Sequence, residues 1–175
     1  TVFSVAHMYP RKNLAALVRA ALTCSRALPE VSFRIAGHGP EFERLRRLIS
    51  ELKLHSNISL LGQISHEQLI REFVSCDIFC LPSLQEGFGI AFLEAMATGK
   101  PVVACRASST PELVRHGING LLATPHDDND LAEQLICLLR DEDLRTRMGA
   151  TNRVSARQYD ASVTVPRLVD LISRA

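Results

Sequence analysis

Two glutamates enclose a glycine turn and the start of an apolar segment, which reads Glu86-Gly87-Phe88-Gly89-Ile90-Ala91-Phe92-Leu93-Glu94. The segment predicts a helix that begins at Gly89-Ile90 and is apolar on nearly every side, as buried helices are. A carboxylate within such a helix is costly unless it is hydrogen-bonded, and no Lys or Arg lies three or four residues from Glu94. Paired hydroxyls of a ligand would satisfy Glu94, and phosphate oxygens would bind at the helix N-terminus. The pattern therefore predicts a nucleotide site.

The elements around this motif alternate between short β-branched runs and longer segments of helical spacing. Six strands separated by helices predict right-handed crossovers and an α/β fold with a doubly wound, Rossmann-like parallel sheet. Later helices are also predicted, one of them with Thr110 as its N-cap and Pro111 as its first residue. The predicted strands are 2–6, 31–36, 57–61, 77–81, 101–105 and 120–123, and the later helices are 128–139, 144–157 and 163–172.

The loops that leave the carboxyl ends of the strands are where such a sheet binds its ligands. These loops are residues 7–13, 37–41, 62–66, 82–90 and 106–111. The chain has no internal repeat and no linker, so residues 1–175 are interpreted as one domain.

With these motifs the chain resembles the C-terminal domain of retaining glycosyltransferases with the GT-B fold, most closely family 4 (glycosyl transferases group 1). The stretch from Glu86 to Glu94 matches the E-x7-E motif of that family. The opening also looks like the family's first strand and phosphate-binding loop, and the other motifs follow in the family's order. They are Val5-Ala6-His7-Met8-Tyr9-Pro10-Arg11-Lys12-Asn13, Ile35-Ala36-Gly37-His38-Gly39-Pro40, Ser59-Leu60-Leu61-Gly62, Cys76-Asp77-Ile78-Phe79-Cys80-Leu81-Pro82-Ser83, Pro111-Glu112-Leu113-Val114 and Gly117-Ile118-Asn119-Gly120.

The resemblance implies transfer of a sugar from a nucleoside diphosphate sugar to an acceptor hydroxyl, with retention of the anomeric configuration and without a metal or another cofactor. Residues 1–175 would be the donor-binding domain, and an N-terminal domain outside this chain would bind the acceptor. UDP-sugar and GDP-sugar donors both stay open, as does a saccharide, lipid or small-molecule acceptor.

The resemblance also assigns roles to residues. Lys12 would hold the diphosphate and Glu86 the sugar hydroxyls, which makes these two the catalytic candidates, while Glu94 would take the ribose hydroxyls. His7 stands where the family usually has an arginine, and a neutral imidazole binds phosphate less well than a guanidinium. The remaining donor-binding candidates are Arg11, Gly37, Gly39, Gln63, Ile64, Gly87, Phe88, Gly89 and Ile90.

Plainer interpretations stay open for several of these residues. Lys12 and Glu86 could be solvated residues of ordinary turns, His7 a structural residue at a strand end, and Gly37-His38-Gly39 a turn as well as a cleft wall. A non-catalytic nucleotide-sugar binding module is the main functional alternative. A GT-B phosphorylase, with pyridoxal phosphate on a lysine, is disfavoured because neither Lys53 nor Lys100 lies on a cleft loop.

Composition limits the partners and the compartment that the chain is expected to have. The chain of 175 residues is 46% hydrophobic and has a net charge of +1, which favours a sizeable core and gives no reason to expect a nucleic-acid partner. No apolar stretch approaches the roughly 20 residues that span a bilayer, so any membrane association would come through another domain. The five cysteines are predicted to be small buried residues in a reducing, cytoplasmic compartment.

Two further sequence features carry weaker signals. The chain begins on a core strand, which suggests a piece excised from a longer protein. Asp128-Asn129-Asp130 spells the D-x-D of metal-dependent glycosyltransferases of another fold, but its place at a helix start predicts capping rather than metal binding.

Overall fold

The computed structural model describes residues 1–160 and residue 162. Within them six strands form one sheet in which every neighbouring pair is parallel, in the order β3-β2-β1-β4-β5-β6. The strand order reverses between β1 and β4, which is the switch point of a doubly wound sheet. The strands are β1 (Val2–Val5), β2 (Phe33–Ala36), β3 (Ile58–Gly62), β4 (Ile78–Leu81), β5 (Val102–Cys105) and β6 (Gly120–Ala123). The predicted α/β fold is confirmed, with every strand within two residues of its expected bounds.

Helices connect the strands. Right-handed crossovers place α1 and α4 on opposite faces, because α1 leads from β1 to β2 and α4 leads from β4 to β5 in the opposite direction across the sheet. On these faces α1 packs against α6, and α4 packs against α7. The α-helices with their bounds are α1 (Leu14–Ala27), α2 (Phe42–Glu51), α3 (His66–Ser75), α4 (Ile90–Ala97), α5 (Thr110–Leu113), α6 (Asp128–Arg140) and α7 (Glu142–Ala156).

The core lies on both faces of the sheet. Every residue of β4, β5 and β6 is buried, as expected of parallel strands that helices cover on both sides. This continuous burial explains why the strands read in the sequence as apolar runs rather than as alternating patterns.

The helix α7 is fixed against the end of α4. A Cβ atom at Gly149 would lie 2.2 Å from the main-chain oxygen of Gly99, so only glycine permits this approach. The Asn152 amide donates hydrogen bonds of 2.7 Å to the main-chain oxygens of Lys100 and Asn119. These contacts hold the C-terminal end of α4, whose other end faces the candidate site.

Three expectations need correction. Four cysteines are buried, but Cys137 is exposed on α6, on the side turned away from the core. The helix α5 begins at Thr110 itself, with Ser109 as the N-cap residue, so the predicted cap lies one residue too late. The helix α4 is not buried on every side, since Ile90 is 67% exposed.

The helix predicted at 163–172 lies outside the described residues. Among the residues that the structure describes, no helix is both long enough and apolar enough to cross a membrane.

Candidate functional site

A cleft of about 450 Å³ lies beyond the carboxyl ends of β1, β2 and β3. Its far wall is the first turn of α4, so the cleft sits beside the switch point where such sheets bind ligands. Its lining comprises Val5, Ala6, His7, Gly37, His38, Gln63, Ile64, Leu69, Ile90, Ala91 and Glu94. Six of the residues predicted from the sequence are therefore together in one cavity, namely His7, Gly37, Gln63, Ile64, Ile90 and Glu94.

Lys12 and Glu86 form an ion pair across the two loops at the switch point. The distance from Lys12 Nζ to Glu86 Oε2 is 2.6 Å, and each side chain is only 13% exposed. These two loops leave β1 and β4, the strands between which the order of the sheet reverses. The predicted catalytic residues thus contact each other directly, beside the cleft rather than within its lining.

Hydrogen bonds hold the Glu86 turn in place. The Ser108 and Ser109 hydroxyls donate to the main-chain oxygen of Glu86 at 2.9 and 2.8 Å, and Ser109 also reaches the oxygen of Gly87 at 2.8 Å. The loop after β5 therefore braces the loop after β4, and the backbone that carries the Glu86 carboxylate is fixed.

The helix α4 begins directly after this turn. Gly89 is its N-cap residue with a φ of 81°, and no side chain caps the helix. A Cβ atom at Gly89 would lie 2.6 Å from the Phe92 ring, so this position requires glycine on both counts. The first N–H groups of α4 and the positive end of its dipole are therefore available to an anion.

Glu94 lies one turn further along α4 and is half-buried. Its side chain has no hydrogen-bond or ion-pair partner within the described part of the chain. Desolvation raises the pKa of the Glu94 carboxyl above its usual value, and the nearby His66 opposes this rise. A carboxylate that is desolvated and unbonded is poised to accept hydrogen bonds from a ligand.

His7 and Arg11 share a third residue, Tyr9, as their contact. The His7 and Tyr9 rings stack with centroids 5.2 Å apart, and the Arg11 guanidinium lies 5.2 Å from the Tyr9 centroid on an exposed surface. Of the three, only His7 lines the cleft. The Arg11 guanidinium lies over Tyr9 and outside the cleft lining, and its binding of the donor stays a prediction.

The glycines of the loop after β2 have a packing role. A Cβ atom at Gly37 would lie 1.9 Å from the main-chain oxygen of Ala6, and the φ of Gly37 is +117°. Gly39 is similarly close to the backbone of Met8, at 2.9 Å, and it does not line the cleft. Gly37 therefore serves both as a turn and as a cleft wall, whereas Gly39 packs closely on Met8 and its binding of the donor stays a prediction.

Sequence reasoning missed several residues at or beside the cleft: Tyr9, His66, Leu69, Ala91 and Ser109. Tyr9 stands inside a quoted motif, but the signal of that motif lies in the charged groups at neighbouring positions. The role of Ser109 depends on a hydrogen bond to the turn at Glu86, 23 positions earlier in the chain, which no local pattern reports.

The described residues offer no cluster of metal ligands. No group of three or more His, Cys, Asp or Glu side chains could hold a metal ion among residues 1–160 and 162. Asp128, in the D-x-D sequence, pairs with Arg19, and Asp127 is the N-cap of α6. Of the other lysines, Lys53 is exposed after α2 and Lys100 donates to the main-chain oxygen of Val74 at 2.8 Å.

A doubly wound parallel sheet with a ligand cleft beside its switch point defines the Rossmann-like class of α/β domains. The family model described as glycosyl transferases group 1 matches residues 1–154, and the chain belongs to this family. The expected likeness to a C-terminal GT-B glycosyltransferase domain is thereby confirmed.

Two curated relatives illustrate the family. D-inositol 3-phosphate glycosyltransferase of Corynebacterium efficiens is 33% identical over 177 residues, which cover 98% of this chain and 42% of the relative. A GDP-mannose-dependent alpha-(1-6)-phosphatidylinositol monomannoside mannosyltransferase of Mycobacterium tuberculosis is 31% identical over 160 residues, covering 87% of this chain and 42% of the relative. The chain thus spans less than half of the length of either relative.

A solved structure also resembles nearly the whole of this chain. The Anabaena protein Alr3699/HepE, crystallised in complex with UDP and glucose, is 26% identical and superposes with a TM-score of 0.89. The superposition covers 99% of this chain and 48% of that protein.

Proposed function

We propose that this chain is the donor-binding domain of a retaining glycosyltransferase, which moves a sugar from a nucleoside diphosphate sugar to an acceptor hydroxyl. The observation that carries the proposal is the placement of Lys12 and Glu86 on the two loops at the switch point, beside an uncapped helix N-terminus and a cleft lined by Glu94. The family membership supports the same reaction.

Each group in this arrangement has a distinct proposed role. Glu94 accepts hydrogen bonds from the ribose hydroxyls, which supplies its missing partners. Lys12 and the N–H groups at the start of α4 hold the diphosphate and stabilise its charge as the bond to the sugar breaks, a form of electrostatic catalysis by fixed groups. Because these groups supply the positive charge, the proposed reaction does not call for a metal ion.

Glu86 is proposed to accept hydrogen bonds from the donor sugar, assisted by main-chain groups of the turn at Gly87 and Phe88. The bracing by Ser108 and Ser109 supports this role, because a contact that orients the sugar needs a fixed backbone. Gln63, Ile64 and Gly37 form the part of the cleft wall that would face the base and ribose.

The acceptor is proposed to be bound by an N-terminal domain in a longer parent protein. Isolated residues 1–175 would then bind the donor weakly and transfer no sugar, since no acceptor is positioned against the donor and water has free access. A cytoplasmic location is proposed for the parent, because four buried thiols without disulfides suit a reducing compartment.

The test is a calorimetric titration of the chain with UDP-glucose, GDP-mannose and ADP-glucose, followed by turnover of the radiolabelled donor that binds. UDP-sugar and GDP-sugar donors both belong in the panel, because one similar protein was crystallised with UDP and another is named for GDP-mannose. We expect one of these donors to bind, and we expect only the parent to transfer sugar. Turnover by the isolated chain at the parent's rate would contradict the two-domain proposal.

A Lys12 variant separates phosphate binding from an effect on the fold. Lys12→Met should weaken a nucleoside diphosphate by about tenfold or more, as expected for a hydrogen bond to a charged group, and should leave the free nucleoside unaffected. Lys53→Met is the matched control, because Lys53 is exposed and far along the chain from both loops. An equal loss for both ligands would show that Lys12 acts on the fold or the base.

A non-catalytic nucleotide-sugar binding module is the second candidate. The observation that favours it is His7, which stacks on Tyr9 at the place where an arginine is expected. A parent protein that binds the donor but turns none over, with any acceptor, would support this alternative.

A further inference from the structure

Lys12 and Glu86 form an ion pair with each other, although the proposed function assigns each of them to a different part of the donor. In the structure Lys12 Nζ and Glu86 Oε2 are 2.6 Å apart, whereas the proposal assigns the ammonium to the diphosphate and the carboxylate to the sugar. Lys12 Nζ has three N–H donors but a single charge, so a diphosphate that draws the ammonium toward itself competes with Glu86 for that charge. This competition exists only if the proposed function holds.

Glu86 cannot easily leave once Lys12 is taken. Its side chain is 13% exposed, and its main-chain oxygen is held by the hydroxyls of Ser108 and Ser109. No second cation contacts the Glu86 carboxylate among the described residues. A carboxylate that is shielded from water, fixed in place and deprived of its counter-ion is costly unless another donor bonds to it.

The two ligands of the reaction differ in whether they supply that donor. A nucleoside diphosphate sugar brings the hydroxyls of its sugar, so Glu86 exchanges an ammonium for hydroxyl hydrogen bonds. A nucleoside diphosphate has only its ribose hydroxyls, which the proposal assigns to Glu94, so it brings no donor to Glu86. It also places its own negative charge beside an unpaired carboxylate. Repulsion between like charges in a partly buried site is weakly screened.

We propose that Glu86 is a selectivity determinant, which makes the site favour a nucleoside diphosphate sugar over the corresponding nucleoside diphosphate by competing with the diphosphate for Lys12. The same competition acts after transfer: when the sugar has left, Glu86 regains Lys12 and promotes release of the product. Glu86 thus has a second role, distinct from orienting the sugar.

The test compares affinities for UDP and UDP-glucose by calorimetry, or for GDP and GDP-mannose if wild type binds the guanosine donor. Removing the carboxylate charge with Glu86→Gln should tighten UDP by about tenfold, the size of effect expected of one charged hydrogen bond. The same change should leave UDP-glucose unchanged or weaker. Glu86→Ala leaves no amide to bond to Lys12 and must shift the UDP affinity in the same direction.

A control isolates the pairing from general charge. Glu112→Gln also removes one negative charge, from the exposed surface of α5, and should change neither affinity. Thermal unfolding of each variant checks that the fold is retained. We expect it to be retained, because the main-chain hydrogen bond from Leu84 to Arg11 joins the two loops without the Glu86 side chain. UDP binding that is unchanged or weaker in both Glu86 variants overturns this inference while leaving the proposed function intact. Failure of wild type to bind any nucleotide sugar overturns both.

Discussion

The main-chain N–H of Leu84 donates a 2.8 Å hydrogen bond to the main-chain oxygen of Arg11. This bond ties the loop after β4 to the loop after β1, next to the ion pair between Lys12 and Glu86. The two loops are more than seventy positions apart in the chain and adjacent only because β1 and β4 pair in the sheet. The site is therefore assembled by the sheet order, and its charges are matched across the switch point.

Glu94 should lower the free energy of unfolding while it contributes to nucleotide affinity. Because its folded pKa is raised, the unfolded chain is the more ionised state between the unfolded and folded pKa values. The free energy of unfolding therefore falls as pH rises through that interval, and it stays lowered at neutral pH. Glu94→Gln should raise the midpoint of thermal unfolding at neutral pH, and this gain should vanish in acid, where the carboxyl is protonated in both states.

The same variant should lose nucleotide affinity by about tenfold, because an amide accepts ribose hydroxyl hydrogen bonds less strongly than a carboxylate. Calorimetry with the nucleoside diphosphate sugar measures this loss. Glu133→Gln, on the exposed surface of α6, is the control and should change neither quantity. Unaltered nucleotide affinity in Glu94→Gln would remove Glu94 from the site.

Gly37 and Gly87 should respond very differently to alanine. At Gly37 the φ of +117° and the 1.9 Å approach to the Ala6 oxygen both oppose a Cβ atom, and the backbone conformation alone costs about 1–3 kcal/mol. At Gly87 no atom lies within 4 Å of the added Cβ. Denaturant unfolding should therefore show a large loss for Gly37→Ala and almost none for Gly87→Ala. Equal losses would refute this packing role of Gly37.

The inner strands β4 and β5 could be predicted closely because each is an apolar run covered by helices on both sides. Burial on two faces leaves a signal in every residue of β4 and β5, and the loops at the carboxyl ends follow from the strands. The sequence pattern thus located the cleft residues His7, Gln63 and Glu94.

Features that depend on distant contacts could not be predicted in this way. The pairing of Lys12 with Glu86 requires the strand order, and the engagement of Arg11 with Tyr9 requires the path of the loop. The one-residue error at Thr110 has a local cause, since Ser109 and Thr110 are both good cap residues and the sequence does not distinguish them. The exposure of Cys137 was missed because its neighbours are apolar, although it lies on the outer side of α6.

Cys137 should be the one rapidly reacting thiol. Burial raises the pKa of Cys24 to about 12 and those of Cys76 and Cys105 to about 11, so little reactive thiolate forms at neutral pH. Cys80 is completely buried. Titration with an aromatic disulfide reagent should detect one thiol in the folded chain and five after denaturation. Cys137→Ser should abolish the fast reaction; a fast phase that persists would place another cysteine at the surface.

His7→Arg should strengthen binding of the diphosphate. His7 is exposed and lines the cleft, so a longer guanidinium at this position can reach a phosphate and bond to it bidentately. We expect a gain of about tenfold for UDP and none for uridine. The new charge would be partly exposed and close to Arg11, so salt should reduce the gain.

A matched neutral variant completes this test. His7→Gln keeps a polar side chain without adding charge and should leave the UDP affinity near that of wild type. Calorimetry at low and at physiological ionic strength, with uridine as the ligand that lacks phosphate, separates charge from shape. If His7→Arg binds UDP no better than His7→Gln at low salt, His7 lies outside the phosphate site and its stacking on Tyr9 is purely structural.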